Sequence, residues 1–272
     1  MIELTRAEMS KLKFNRASTR PEMRHPLTPS FYNAHLNSAP DNTEIEYYIK
    51  YSDDFIKAIK PYTPKAQQRG IVTCGGGKVY FTCAYIMIRA LRSLGCNLPI
   101  ELWYLGPREM TKAMRTLIEK YNVVCRDAYE LRKTVPARIL NGWELKPYAI
   151  LNSDFNEVIF IDADNIPIVN PEVHFSNKQY IAHGSLFWPD QGILDENRPI
   201  WKICNTKYVK EPEFETGQMV IDKARCWNEL HLTMHFNENS DYYYRYMHGD
   251  KETFHMAWHR LNTPFGLVKH GL

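Results

Sequence analysis

The chain has 272 residues, a formal net charge of +3 at pH 7, 44% hydrophobic residues and 24% charged residues. The length is typical of one large globular domain with an appendage. The composition is that of a globular protein, and it excludes an intrinsically disordered chain and a protein that coats a polyanion. No apolar run approaches the roughly 18 residues that cross a bilayer, so we expect a soluble chain with no nucleic acid as partner. The six cysteines form no C-x-x-C pair and predict no cysteine-based zinc site.

Residues 1–69 differ from the remainder, because six prolines interrupt a polar stretch without sustained strand patterns. We predict that this part is an N-terminal extension packing on the main domain. Within it, apolar spacing predicts one short amphipathic helix over 45–51 and a further helical turn near 55–59. The main domain is predicted to cover residues 70–272.

From Gly70 onward, apolar runs that are typical of strands alternate with stretches of helical periodicity. The predicted strands cover 71–74, 99–105, 123–125, 158–161, 180–183 and 218–221. The predicted helices cover 80–94, 108–121, 143–152, 223–236 and 250–261. Strands separated by helices of this length predict an α/β fold with parallel pairing and right-handed crossovers.

Two carboxylates, Asp162 and Asp164, follow the most apolar predicted strand. Side chains two residues apart on an extended chain point to the same side, and ligands of open α/β sheets lie beyond this end of the strands. Two buried anions need a neutralising partner, and oxygen ligands favour Mg²⁺ or Mn²⁺ with positions left open for a diphosphate. The pair therefore predicts a metal site, the alternative being that Asp162 caps the turn and Asp164 is solvated.

Two further segments are predicted to reach the same crevice. The turn from Thr73 to Lys78 contains three consecutive glycines, which let backbone N–H groups approach a ligand, although it matches no phosphate-binding loop. A tight β-α turn without a ligand is the alternative there. Lys146 precedes the acidic strand by one helix and is predicted to bring positive charge to a phosphate, the alternative being a solvated helix lysine.

Five motifs occur in a fixed order along the main domain. They are GWELKPY at 142–148, DADN at 162–165, FWPD at 187–190, ETGQ at 215–218 and GDKETF at 249–254. These motifs and their order resemble those of the fungal-type α-mannosyltransferases of the Mnn1/Mnn2 group. The resemblance covers roughly residues 70–258. More widely, the chain is similar to the glycogenin-like retaining glycosyltransferases.

The resemblance implies a GT-A fold, which is Rossmann-like with a mixed, mainly parallel sheet flanked by helices. It implies that Asp164 ligates the metal, that Asp162 lies near the metal and the ribose, and that Lys146 contacts the diphosphate or the donor sugar. Residues implied to bind the nucleotide sugar also include Thr73, Cys74, Gly75, Ala163, Glu215 and Gly217. Those implied to act at the donor sugar or the acceptor are Gln218, Asp250, Trp188, Asp190 and Glu252.

Two of these residues have simpler explanations that the sequence leaves open. Asp250 is also explained as a helix N-cap, and Trp188 as a core aromatic residue. Many members of the wider family end with a metal-binding histidine followed by a basic-aromatic motif. His270 lacks that context, so the third metal ligand is left unassigned.

The implied reaction is transfer of a hexose, mannose first, from GDP-mannose or a UDP-hexose to a glycan or other hydroxyl acceptor, with retention and with Mn²⁺ or Mg²⁺. The sequence leaves the location open between the cytoplasm and the lumenal part of a Golgi-type enzyme. A haloacid-dehalogenase-like phosphatase also places D-x-D after an apolar strand, but normally at the start of its domain. A non-catalytic module that binds a nucleotide sugar or a glycan is the other alternative.

Overall fold

The computed structural model describes residues 39–139 and 142–269. Its strands are β1 (Gln67–Cys74), β2 (Ile100–Tyr104), β3 (Val123–Asp127), β4 (Phe155–Ile161), β5 (Ser185–Ile193), β6 (Pro212–Asp222) and β7 (Gly266–Leu267). Its helices are α1 (Asn42–Ala58), α2 (Gly77–Ser93), α3 (Lys112–Glu119), α4 (Ala128–Leu131), α5 (Leu145–Asn152), α6 (Lys178–His183), α7 (Ile200–Ile203), α8 (Trp227–Glu238), α9 (Ser240–Tyr243) and α10 (Asp250–Arg260). One 3₁₀ helix covers Pro171–Ser176.

The strands form one sheet in the order β3-β2-β1-β4-β6-β5-β7. The first four strands in this order run parallel to one another, and β5 and β7 are parallel to each other. Strand β6 runs antiparallel to both of its neighbours, β4 and β5. The sheet is therefore mixed and mainly parallel, which confirms the predicted GT-A fold class.

Strand β4 is buried on both faces of the sheet, which explains its continuous apolar sequence. Val158 and Phe160 belong to the core cluster on one face, whereas Ile159 and Ile161 belong to the cluster on the other. In the register of β1 and β4, Val72 lies opposite Phe160. The two strands therefore end at the same edge, and the residues that follow each of them come together there.

The predicted strand over 180–183 is wrong, because these residues belong to α6. The side chain of Asn177 accepts a hydrogen bond from the Gln179 N–H and caps the helix, and Gly184 ends it with a φ of 79°. An apolar run of this length is compatible with a helix or a strand, and the capping residues at its two ends determine that it forms a helix. The strand begins immediately afterwards, as β5.

The segment before β1 contains one continuous helix, α1, in place of the helix and separate turn that the sequence predicts. Tyr48 stacks on Tyr242 with ring centres 3.7 Å apart, and Ser52 Oγ lies 3.0 Å from the Tyr243 hydroxyl. The boundary predicted at residue 69 stays a prediction, and residues 1–38 lie outside the described part. No helix within 39–139 or 142–269 is both long and apolar enough to span a membrane.

Candidate active site

A cavity of about 460 Å³ opens at the carboxyl ends of β1, β2 and β4. This volume is typical of small-molecule sites. Predicted site residues on its wall are Cys74, Gly75, Lys146, Asp162, Ala163, Asp164 and Asp250. The other lining residues are Gly76, Tyr80, Leu105, Glu109, Gly142, Trp143 and Leu145.

Lys146, in the first turn of α5, lies between two carboxylates from different parts of the chain. Its Nζ is 3.1 Å from Oδ2 of Asp162 and 3.1 Å from Oδ2 of Asp250. It also donates to the backbone carbonyl of Thr216 at 3.0 Å. Burial opposes the charged form, but attraction to Asp250 and Asp162 outweighs burial and raises the pKa of Lys146. Lys146 is therefore a buried cation aimed at the cavity, not a solvated helix lysine.

The turn that carries Asp162 and Asp164 is fastened to strand β6 at Gly217. The Gly217 carbonyl accepts from the Asp162 N–H at 2.7 Å and from Asn165 Nδ2 at 2.9 Å. A Cβ atom on Gly217 would lie 2.6 Å from Oε1 of Glu215 and 2.7 Å from Asn165 Nδ2. A side chain at this position would displace Glu215 and Asn165, both of which hydrogen-bond to the Gly217 backbone.

The cavity wall carries more negative than positive charge. The charged residues that line it are four carboxylates, those of Glu109, Asp162, Asp164 and Asp250, and one ammonium group, that of Lys146. Their formal charges sum to −3. Burial raises the pKa of Asp162, and the charges of Asp250 and Asp164 raise it further against the effect of Lys146. Such a surface repels an anionic ligand unless a cation is present. Asp162 and Asp164 could hold a divalent cation, because oxygen donors and an excess of anions suit Mg²⁺ or Mn²⁺.

Asp250 begins α10, and Gly249 before it is the N-cap residue. Gly249 has φ 70° and ψ −153°, a conformation open almost only to glycine. A Cβ there would lie 3.0 Å from the Trp143 ring. The Asp250 side chain turns to Lys146, so the explanation of Asp250 as only an N-cap is wrong.

Two predicted acceptor residues are engaged in ion pairs away from the cavity wall. Glu252 is 2% exposed and accepts two hydrogen bonds from the Arg198 guanidinium, at 2.7 and 2.8 Å. Asp190 pairs with Lys251. Their roles at an acceptor stay predictions.

Three other predicted residues also lie off the cavity wall. Thr73 is fully buried in β1, and its Oγ1 has no hydrogen-bond partner among the described residues. Gln218 pairs with Ile161 at the end of β4, one position before the acidic turn. Trp188 packs edge-on against His174, with ring centres 5.0 Å apart, and contacts the core cluster that contains Ile159.

The sequence did not single out Glu109 or Thr216. Glu109 Oε2 accepts from the Leu105 N–H at 2.8 Å, and its side chain lies over Gly76, where a Cβ would be 2.4 Å from Oε2. Glu109 lies outside every motif, so only the folded chain reveals it. Thr216 is part of the ETGQ motif, which is the signal that could have found it.

The sequence model of a family described as "Mannosyltransferase putative" matches residues 68–205 and 196–272. The chain belongs to this mannosyltransferase family. Family membership confirms the resemblance stated from the motifs. It argues against the phosphatase alternative.

Two curated relatives support the same assignment. The chain is 31% identical over 240 residues to alpha-1,2-mannosyltransferase MNN24 of Candida albicans, covering 72% of this chain and 33% of that protein. It is 26% identical over 300 residues to alpha-1,2-mannosyltransferase MNN5 of Saccharomyces cerevisiae strain S288c, covering 86% of this chain and 51% of that protein. The chain thus spans about half, or less, of the length of these relatives.

A solved structure has the same fold. The bifunctional glycosyltransferase WbbM superposes with a TM-score of 0.50 at 13% sequence identity, over 78% of this chain and 40% of that chain. The low identity limits this likeness to the fold.

Proposed function

We propose that this chain transfers a mannosyl residue from a nucleotide sugar, GDP-mannose first among the candidates, to a hydroxyl group of a glycan. The observation that carries the proposal is the placement of Lys146 between Asp162 and Asp250 in an anionic cavity at the carboxyl edge of the sheet. Family membership supplies the reaction class, and the names of the relatives favour mannose.

The charge balance of the cavity favours a diphosphate bound together with a metal ion. A diphosphate alone would meet four carboxylates and one ammonium group. We infer that Asp162 and Asp164 would hold Mn²⁺ or Mg²⁺, and such an ion would supply positive charge next to the diphosphate. Lys146 is already charged and fixed by its partners, so it stabilises the same leaving group without reorganising.

The turn after β1 fits the nucleoside part of the donor. The cavity is lined on this side by Cys74, Gly75 and Gly76. The two glycines leave space there because they have no side chain. Tyr80 is 46% exposed and lines the same wall, so its ring is available to a planar base.

We infer that transfer proceeds with retention through a front-face reaction. The bond between the sugar C1 and the phosphate oxygen breaks, and the acceptor oxygen bonds to C1 from the same face. The acceptor proton passes to the departing diphosphate. Among the carboxylates predicted for the donor sugar, Glu215 accepts from the Gly217 N–H at 2.5 Å and Asp250 pairs with Lys146. Both are committed to the protein, which argues against a covalent sugar intermediate on either.

A donor panel tests the proposal. The purified chain is incubated with Mn²⁺, a mannoside acceptor and GDP-mannose or UDP-hexoses, and nucleoside diphosphate release is measured beside p-nitrophenyl phosphate hydrolysis. We expect release from GDP-mannose and an α-linked product by NMR of the anomeric proton. A β-linked product contradicts retention, phosphate hydrolysis supports the phosphatase alternative, and donor binding without release supports a binding module.

A further inference from the structure

A second cluster of potential metal ligands lies outside the cavity. His255 and His259 are four residues apart on α10, so both rings lie on one face of that helix. Their Nε2 atoms are 2.8 and 2.5 Å from the same oxygen, Oε1 of Glu211. One ligand atom from each of the three side chains lies within 4.8 Å of the other two.

These three side chains form a donor set that zinc prefers. Imidazole nitrogen and carboxylate oxygen bind Zn²⁺ at about 2.0–2.2 Å, and tetrahedral geometry then separates two ligand atoms by about 3.3 Å. The distances from Oε1 of Glu211 to the two Nε2 atoms are shorter than this by less than about 1 Å. Glu211 precedes β6, and its side chain is 22% exposed. A rotation of this carboxylate therefore makes room for the ion.

Two phenylalanine rings pack against the imidazole rings of the cluster, and the described residues give the Glu211 carboxylate no lysine or arginine as a partner. Phe214 stacks on His255 with ring centres 4.4 Å apart, and Phe265 packs edge-on against His259 at 5.9 Å. Within 39–139 and 142–269, no lysine or arginine forms an ion pair with Glu211. The negative charge of Glu211 is met there only by hydrogen bonds from two imidazole rings, and a bound cation would neutralise it.

We propose that Glu211, His255 and His259 form a structural Zn²⁺ site, with water in the fourth position on the partly exposed side of Glu211 and His259. The ion would join the beginning of β6 to α10. These elements carry Gly217, which supports the acidic turn, and Asp250, which pairs with Lys146. The zinc ion would thus connect the strand that supports the acidic turn to the helix that carries Asp250, without belonging to the D-x-D site.

Zinc binding changes the protonation of the two rings. In the metal-free cluster, a neutral ring that donates from Nε2 carries its proton there; when Nε2 binds Zn²⁺, that proton moves to Nδ1. Nδ1 of His255 is buried and has no hydrogen-bond partner among the described residues. One unpaired N–H group costs less free energy than zinc coordination supplies.

The experiment must separate this site from the acidic turn, so the chain carries Asp164→Ala throughout. The metal-stripped protein is titrated with Co²⁺, whose visible d–d absorption reports four-coordination, and then with Zn²⁺ as competitor. Bound zinc is also counted by mass spectrometry of the dialysed protein. We expect one Zn²⁺ per chain, displacement of Co²⁺ by Zn²⁺, and a higher melting temperature with Zn²⁺ than with chelator.

Two variants and one control assign the ligands. Glu211→Gln and His259→Ala, checked for folding by circular dichroism, should lose the Co²⁺ absorption and the zinc-dependent rise in melting temperature. His231→Ala is the control, because His231 is another helix histidine, which packs on Trp227 outside the cluster, and it should keep both. Absence of the Co²⁺ absorption in the Asp164→Ala chain, or its persistence in both ligand variants, would overturn the proposal.

Discussion

Lys146 and Asp250 lie in the first turns of two helices that are distant in sequence, yet Nζ and Oδ2 of these residues are 3.1 Å apart on the wall of one cavity. Asp162 holds the same Nζ from the other side, at 3.1 Å. The lysine is thereby charged and positioned before any ligand enters. Preorganised charge of this kind contributes more to the transition state than to substrate binding.

Replacing Lys146 by methionine tests this point. We expect kcat to fall by about 10²–10³ with a smaller rise in donor KM, because the ammonium group acts on the departing diphosphate. Steady-state kinetics with varied GDP-mannose measures both constants. Lys57→Met is the control, since Lys57 is an exposed residue of α1 with 76% of its side chain accessible. A change confined to KM would make Lys146 a uniform binding group.

Gly217 offers a second test, because the acidic turn rests on it. Gly217→Ala places a Cβ 2.6 Å from Glu215 Oε1 and 2.7 Å from Asn165 Nδ2. Both side chains must then move, and both now hydrogen-bond to the Gly217 backbone, so the contact that holds the turn weakens. We expect donor and metal binding to weaken by about tenfold or more, with a loss of about 1–3 kcal/mol in the free energy of unfolding.

Gly192→Ala is the matched control for Gly217. A Cβ at Gly192 would also meet a side-chain tip, with Oε1 of Glu213 at 2.9 Å, but it would touch neither Asn165 nor Asp162 of the acidic turn. Donor affinity is measured by titration with Mn²⁺ present, and stability by urea unfolding. Equal, unchanged affinities in both variants would mean that Gly217 does not set the position of the turn.

The acidic turn and Lys146 could be predicted from the sequence, whereas their environment could not. The strand before Asp162 is buried on both faces, so its apolar run and its end are visible in the chain. The position of Asp250 beside Lys146 depends on how α10 packs, which no local pattern encodes. Glu109 reaches the cavity from an irregular segment after β2 and has no sequence signal.

Stability depends on Lys223, which is fully buried at the end of β6. Its Nζ donates to the carbonyls of Ser153 at 2.8 Å and Ile150 at 3.2 Å. These carbonyls lie at the C-terminal end of α5, the helix that carries Lys146. Lys223→Met removes the donor from the Ser153 carbonyl, while the Ile150 carbonyl keeps its hydrogen bond from Ser153 Oγ at 3.0 Å. We expect a loss of about 1–3 kcal/mol by urea unfolding. A loss below about 0.5 kcal/mol, typical of a surface substitution, would contradict this role.

The pH dependence of unfolding reports the same side chain. Burial lowers the pKa of Lys223 to about 7 from 10.5. Between these values the unfolded chain binds more protons at this residue than the folded chain, so its contribution to stability rises with pH. The difference in unfolding free energy between the parent chain and Lys223→Met should therefore grow from pH 7 to pH 9. A constant difference would show that the amine stays charged in the fold.

Metal-dependent mannosyl transfer at the acidic turn, as proposed here, is tested most directly by replacing Asp164. The rate of GDP release from GDP-mannose is measured with Mn²⁺ for the parent chain, Asp164→Ala and the control Asp54→Ala, whose carboxylate is 59% exposed on α1. We predict full activity in the control, and loss of activity in Asp164→Ala and in the parent chain with chelator. Undiminished turnover by Asp164→Ala with chelator present would contradict the account.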